Sequence, residues 1–452
     1  MVLKRKIYSI LLNWKNESKG TKALLIEGAR RIGKSTIVSL FGKNEYKSFV
    51  IIDFNDVSKS IIDNFNNNLS DLDTFFMIIQ TEYGIKLYRH ETLIIFDEIQ
   101  RFPKARQSIK KLVQDGRYDY IETGSLISIK ENVKDITIPS EERVIKMYPL
   151  DFEEFCFAMN EDLLIEYIKK CFVELVPLES GLHNKAMLLF RQYMLVGGMP
   201  QSIVAYLKND RDFEKADIEK RDILQIYRND IMKIDKEYQS KVISIFDQIP
   251  SFLSKHEKRV VLSNIKKNSN FIQYNETFFW LEDSMICNHC FNCSDPNIGL
   301  SLNEERTYVK CYMGDTGLLV SHAFSENEII TNELYKQILF NKLSLNQGML
   351  FENVISQILT SNGHKLFFHN HFDEKTHRND CEIDFVISNN SKVNYKIYPI
   401  EVKSSNKYST VSIDKFNIKF KSRIKCAYII HPKNLFIKDN LICIPPYMAI
   451  CL

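Results

Sequence analysis

Leu24-Leu25-Ile26-Glu27-Gly28-Ala29-Arg30-Arg31-Ile32-Gly33-Lys34-Ser35-Thr36 is a short apolar run followed by G-x-x-x-x-G-K-S and a helix-compatible continuation. The run predicts a buried strand, and the segment from Gly28 to Ser35 predicts a phosphate-binding loop of Walker A type opening a helix. Gly28 and Gly33 let the backbone curl so that successive N–H groups converge on the β- and γ-phosphates of ATP, with the helix's positive end behind them. Lys34 adds a point charge there, and the Ser35 hydroxyl is suited to ligate Mg²⁺. Arg30, Arg31 and Thr36 flank these positions and are counted with the nucleotide-binding set.

Upstream, residues 3–16 place Leu3, Ile7, Ile10, Leu11 and Trp14 at helical spacing, predicting an amphipathic helix ahead of the strand. Downstream, Lys47 to Asp53 is a buried-strand pattern and residues 70–85 a helical one. Strands alternating with helices predict a parallel sheet covered on both faces. Leu93-Ile94-Ile95-Phe96-Asp97-Glu98-Ile99-Gln100 is a Walker B pattern, four apolar residues ending in two acids. Asp97 is suited to the Mg²⁺ shell, and Glu98 to orienting and deprotonating the attacking water. That Glu after the Walker Asp points to P-loop ATPases with an extra strand between the two motifs. Tyr118 to Ser125 is the next strand, with Thr123 or Ser125 at its tip as a γ-phosphate sensor or simply as the turn at Gly124. Glu142 to Tyr148 is a last strand, after which Asp151 caps a helix.

The chain has 452 residues, net charge +3 and 44% hydrophobic residues. This length predicts about three domains, since one core rarely grows past roughly 250 residues. The mild basicity allows nucleic-acid binding by a local patch without requiring it. The ten cysteines are scattered, and nothing resembles a cleavable signal, so a reducing, cytoplasmic setting is expected. The most apolar window, Tyr193 to Leu207, is interrupted by Gly197, Gly198, Pro200 and Gln201, which excludes a membrane span there.

Several motifs in fixed order carry a family resemblance. Gly28 to Ser35, Phe96-Asp97-Glu98-Ile99-Gln100, Thr123-Gly124-Ser125, Tyr148-Pro149-Leu150-Asp151-Phe152-Glu153-Glu154-Phe155 and Val196-Gly197-Gly198-Met199-Pro200 together resemble one group. It is the prokaryotic family of AAA-like ATPases whose carboxy-terminal part is catalogued as a domain of unknown function. The resemblance implies an α/β chain with an AAA-like P-loop ATPase core at 1–155 and a helical lid at 156–250. A winged-helix module at 251–330 and a nuclease-like α/β domain at 331–452 would follow.

The residues fit that order. Residues 156–250 are helix-rich, and Arg143, Arg191 and Arg228 are each suited to reach a neighbouring subunit's γ-phosphate or to be plain surface arginines. No spacing selects among them, and the resemblance allows an oligomer without requiring one. A helix from Val260 to Lys267, a second from Gln273 to Cys287 and a hairpin from Cys290 to Tyr312 give winged-helix order. Such a module reads DNA with its second helix or docks a protein. Cys287, Cys290 and Cys293, with Cys311 to close the set, raise a zinc site, against which no second C-x-x-C pair exists elsewhere.

At the C-terminal end, Gly348 to Thr360 is a helix carrying Glu352. Cys381 to Ile387 and Tyr398 to Ser405 are strands carrying Asp384, and Glu401 with Lys403. Alternate strand residues share a face, so Glu401 and Lys403 project together and Asp384 can meet them. Carboxylates converging beside a lysine suit Mg²⁺ and a metal-activated water. The arrangement resembles the PD-(D/E)xK restriction-endonuclease-like superfamily, with Asp384, Glu401 and Lys403 on its signature positions and Glu352 on its helical Glu. The resemblance implies a Mg²⁺-dependent nuclease acting on nucleic acid, DNA before RNA. The alternative is an ATP-switched regulatory protein whose end domain only binds DNA or a protein partner.

Overall fold

The computed structural model describes residues 2–125, 137–255, 258–260, 262, 271–340, 347–373, 378–389 and 396–452. They fall into two compact units, one holding Lys4–Tyr148 with Asp283–Met285, the other Pro149–Glu282 and Ile286–Leu452 with the first residues of the chain.

In the amino-terminal unit, α1 (Ile7–Ser18) buries Ile7, Leu11 and Trp14, the stripe expected from its spacing. The strands are β1 (Ala23–Glu27), β2 (Ser48–Asp53), β3 (Thr92–Asp97), β4 (Asp119–Gly124) and β5 (Glu142–Lys146). The helices between them are α2 (Lys34–Glu45), α3 (Lys59–Asn67), α4 (Leu72–Tyr83) and α5 (Pro103–Asp115). The sheet order is β2-β3-β4-β1-β5, and every pairing is parallel. The strand after Walker B therefore lies between the Walker A and Walker B strands, bringing the carboxyl ends of β1, β3 and β4 side by side. In open α/β sheets that end is where ligands bind. Helix α3, capped by the Ser58 side chain on the Ile61 N–H, is an element the spacing did not announce.

One ion pair ties α5 to the sheet's edge strand. Arg106 spans Glu142 with Nε at 3.0 Å and Nη2 at 2.7 Å, the two side chains 6% and 2% exposed. Glu122, fully buried on β4, is pushed well above the normal carboxylate range by burial and then by Glu142.

In the second unit, α6 (Phe152–Ala158) opens on a reciprocal capping box between Asp151 and Glu154. Then come α7 (Asp162–Glu174), α8 (Ser180–Val196), α9 (Pro200–Lys208), α10 (Phe213–Ile231), α11 (Lys236–Ser254) and α12 (Asn275–Asp283). Strands β6 (Cys287–Cys293) and β7 (Glu304–Met313) precede α13 (Thr316–Ala323), α14 (Asn332–Leu339) and α15 (Gln347–Ser361). The chain ends with β8 (Leu366–Asp373), β9 (Arg378–Asn389), β10 (Lys396–Val402), α16 (Val411–Lys419), β11 (Ala427–Ile430), β12 (Phe436–Lys438) and β13 (Leu441–Ile444).

The eight-stranded sheet runs β12-β13-β11-β10-β9-β8-β6-β7. The hairpin β6–β7, expected as the wing of a winged-helix module, is antiparallel, and β6 also pairs in parallel with β8. The hairpin is thus built into the C-terminal sheet. The expected helix Val260–Lys267 lies, apart from residues 260 and 262, outside the described residues, and the second helix stops at Asp283 because Cys287 already begins β6.

The Gly197-Gly198 motif shows why residues 149–250 and the C-terminal part form one unit. The Leu150 N–H donates to the Gly198 carbonyl at 2.7 Å, and the Gly198 N–H donates to Asp315 at 2.5 Å. Gln357 on α15 donates to Asp315 at 3.2 Å and to the Tyr193 hydroxyl at 3.0 Å. A Cβ on Gly198 would run into the Leu150 carbonyl oxygen, so only glycine permits this approach. Removing one partner of a buried ion pair typically costs 3–5 kcal/mol. Arg106→Met should therefore lower the stability of the amino-terminal unit by about 3 kcal/mol, measured by urea denaturation with Trp14 fluorescence in a Trp280→Phe background.

Candidate functional site

The loop after β1 is shaped by lack of room. A Cβ on Gly28 would lie 2.5 Å from the Met147 carbonyl oxygen and against Ile32, so the backbone passes where no side chain can. Arg31 and Gly33 adopt positive φ, at +66° and +92°, and turn the chain into α2 at Lys34. Ser35 and Thr36 are exposed on its first turn, beside N–H groups with no intrahelical partner. Lys34 is buried, its ammonium donating to the carbonyls of Gly28 and Ala29, each at 2.9 Å. Burial lowers its pKa to about 8, against the pull of Glu98 and Asp97.

Asp97 ends β3, buried, and the Thr123 hydroxyl on β4 donates to its Oδ1. Thr123 is thus seen orienting the Walker B carboxylate. Glu98 has left the strand, with φ +54°, a left-handed conformation costing roughly 1–2 kcal/mol for a residue with a Cβ. Gln100 donates to Glu98 Oε2 at 2.5 Å, holding the acid next to the turn. The oxygen donors Ser35 and Asp97, at the end of the sheet where Lys34 lies, are the hard ligands Mg²⁺ takes, so these residues fit that ion.

Arg5 was not singled out by any motif, yet it braces the loop. Its Nη1 donates to the Ile32 carbonyl at 2.9 Å and its Nη2 to the Tyr148 carbonyl at 2.6 Å. The only sequence signal is a basic residue beside an amphipathic helix, which does not distinguish a brace from a surface charge. Among the arginines considered as fingers, Arg143 pairs with Glu17 at 3.3 Å and Arg228 with Asp247 at 2.7 Å. Arg191 is partly buried beside Met194, Leu195 and Phe351.

In the C-terminal cluster, Asp384, Glu401, Lys403 and Glu352 do converge, but with further residues among them. Lys403 pairs with Glu401 at 2.7 Å. Asp384 Oδ2 accepts the Val402 N–H at 2.8 Å, and its Oδ1 faces Lys310 at 4.0 Å. Lys310 also pairs with Glu382 at 2.9 Å. Glu352 binds Lys258 through one oxygen, and its other accepts from the Tyr312 hydroxyl at 3.1 Å. Burial raises Glu352 above the usual range, with Asp384 adding to it, and burial raises Glu401 to about 7.

Glu352 and Asp384 are thus each engaged by protein donors, whereas Glu401, although its Oε2 lies 2.7 Å from Lys403, has both oxygens buried without a hydrogen-bond partner among the described residues. Among the described residues no group of three or more His, Cys, Asp or Glu side chains is arranged to hold a metal ion. That includes zinc. His289 pairs across the hairpin with Cys311, on the face of β6 that also carries Cys287, whereas Cys290 alternates to the other face. Cys293 Sγ donates to the Leu300 carbonyl at 3.4 Å.

Three stretches of the chain match family models. Residues 20–156 match the model of an AAA domain family. The amino-terminal unit is an AAA-type P-loop domain. Residues 187–328 match a domain of unknown function, DUF8612, and residues 347–447 another, DUF4143. No curated protein matches the chain. Among solved structures, the Walker-type ATPase of Pyrococcus abyssi is 17% identical over 71% of this chain and 96% of its own, with a TM-score of 0.40. Aeropyrum pernix Orc1 in complex with DNA is 10% identical over 72% and 93%, TM-score 0.27. AMPPCP-bound DnaA of Aquifex aeolicus is 12% identical over 62% and 90%, TM-score 0.27. At these scores the likeness is loose. Among the described residues no helix is long and apolar enough to cross a membrane.

Hydrogen bonds from a charged group contribute about 1.5–3 kcal/mol each. Arg5→Ala should therefore weaken ATP binding about tenfold while turnover at saturating ATP changes little. Titration with a fluorescent ATP analogue beside steady-state kinetics checks this, with partial recovery expected in Arg5→Lys.

Proposed function

We propose that this protein is an ATP-hydrolysing switch acting on nucleic acid, DNA in the first instance, whose C-terminal domain grips its target and does not cut it. The observation carrying the ATPase reading is Lys34 buried on its own loop, with Asp97 and Glu98 close enough at the end of β3 to act on its charge. The lysine and the first N–H groups of α2 bind the β- and γ-phosphates. Ser35 and Asp97 would hold Mg²⁺, which when bound neutralises phosphate charge as the terminal bond breaks. Thr123 keeps Asp97 in place for that. Glu98 accepts the proton of the attacking water, and must first exchange its hydrogen bond from Gln100 for one from that water.

The choice between gripping and cutting rests on the engaged carboxylates. Lys403 neutralises Glu401, Lys310 faces Glu382 and Asp384, and Lys258 holds Glu352. The DNA reading is supported by the resemblance of Asp384, Glu401 and Lys403 to a nucleic-acid-processing motif.

A positioned general base typically contributes 10²–10⁴-fold. Glu98→Gln should keep ATP binding and lower turnover by about a hundredfold or more, measured by phosphate release. With labelled single- and double-stranded DNA, affinity should differ between the Glu98→Gln protein with ATP and the wild type with ADP. No strand should be cut in Mg²⁺ or Mn²⁺. Metal-dependent cleavage lost in Lys403→Ala would establish the nuclease instead, and equal DNA affinity in both nucleotide states would overturn the switch.

A further inference from the structure

Lys310 sits on β7, and the two carboxylates it meets sit on β9, three strands along in the order β9-β8-β6-β7. In a flat sheet those strands would be about 14 Å apart, a gap that the long side chains of Lys310 and Glu382 close between them, ending 2.9 Å from each other. The side chain is 2% exposed. A buried ammonium loses several kcal/mol of hydration, and here three neighbours offset that loss: Glu382 at 2.9 Å, Asp384 at 4.0 Å, and the Phe368 ring face 4.9 Å away. Tyr312, two residues on, shares the β7 face and donates to Glu352, fixing the strand where the lysine is needed.

We propose that Lys310 is the resident cation of the C-terminal acidic cluster, an ammonium standing in the charge role that a divalent metal plays among such carboxylates. The inference rests on the reading that this domain does not cut. Lys258 and Lys403 each hold one carboxylate, Glu352 and Glu401, whereas Lys310 faces two at once, as a bridging ion does. With Lys258, Lys310 and Lys403 set against Glu352, Glu382, Asp384 and Glu401, the cluster is nearly balanced without metal. A covalently tethered cation cannot exchange, and it has no coordination position for a water. The domain therefore keeps the shape of a metal-dependent site while being indifferent to divalent ions.

The test is Mn²⁺ binding to the full chain without nucleotide, followed by electron paramagnetic resonance and by the melting temperature. Wild type and Asp384→Asn should be alike, with no Mn²⁺ held by the cluster. Lys310→Met, which leaves carboxylates facing one another, should bind Mn²⁺ about tenfold or more tighter than wild type and melt higher with it, and Lys310→Met/Asp384→Asn should lose both effects. A Mn²⁺ site in the wild type that Asp384→Asn abolishes overturns the proposal, as does a folded Lys310→Met with no gain, folding being judged by Trp280 emission. If Lys310→Met does not fold, the comparison of wild type with Asp384→Asn decides alone. Wild-type DNA cleavage would overturn the gripping reading, whereas a wild-type Mn²⁺ site without cleavage would overturn this inference only.

Discussion

The nucleotide end of the molecule depends on a squeeze. Gly28 runs so close to the Met147 carbonyl that no side chain fits between them. The loop must therefore turn sharply, through positive φ at Arg31 and Gly33, before α2 begins. That turn folds Lys34 back onto the carbonyls of Gly28 and Ala29 and aims the helix start at the ends of β3 and β4. Arg5 holds the far side of the curl by its Ile32 and Tyr148 contacts. Three side chains are partly set in place: the lysine is desolvated, Asp97 is oriented by Thr123, and Glu98 stands off its strand. Such preorganisation is what lets phosphoryl transfer proceed by positioning and electrostatics.

In the second unit, buried polar groups decide which segments belong together. Gly198, Leu150, Asp315, Gln357 and Tyr193 satisfy one another in a chain of hydrogen bonds. A buried donor or acceptor left unmade costs about 1–3 kcal/mol, so these segments do not separate easily. These bonds cross the boundaries expected at residues 250 and 330, and the hairpin expected to be a wing contributes two strands to the C-terminal sheet. In the acidic cluster the same constraint brings lysines to buried carboxylates, Lys258 to Glu352 and Lys310 to Glu382 and Asp384.

Much of the first unit was legible because its signals are contiguous. The apolar run of β1, the spacing from Gly28 to Ser35 and the paired acids after β3 are local patterns, and each strand expected there is present within a few residues. The C-terminal helix and strands carrying Glu352, Asp384 and Glu401 were legible for the same reason. Thr123 was read at the right strand tip, and its hydrogen bond to Asp97 could not be told from the alternation of residues. Lys258, Lys310 and Glu382 went unnoticed as members of the cluster, since a lysine in a strand reads as a solvated face.

By itself the amino-acid sequence determined most of the strands of the first unit and the helix and strands that carry Glu352, Asp384 and Glu401, because these depend on local sterics and on side-chain periodicity along one chain. Only the tertiary structure decided that Arg5 braces the loop, that β6 pairs with β8, and that Lys310 reaches Glu382 and Asp384. Those outcomes depend on strand order and packing, which bring together residues dozens of positions apart. The charge on a carboxylate is written in the sequence, but the partner that neutralises it is chosen by packing.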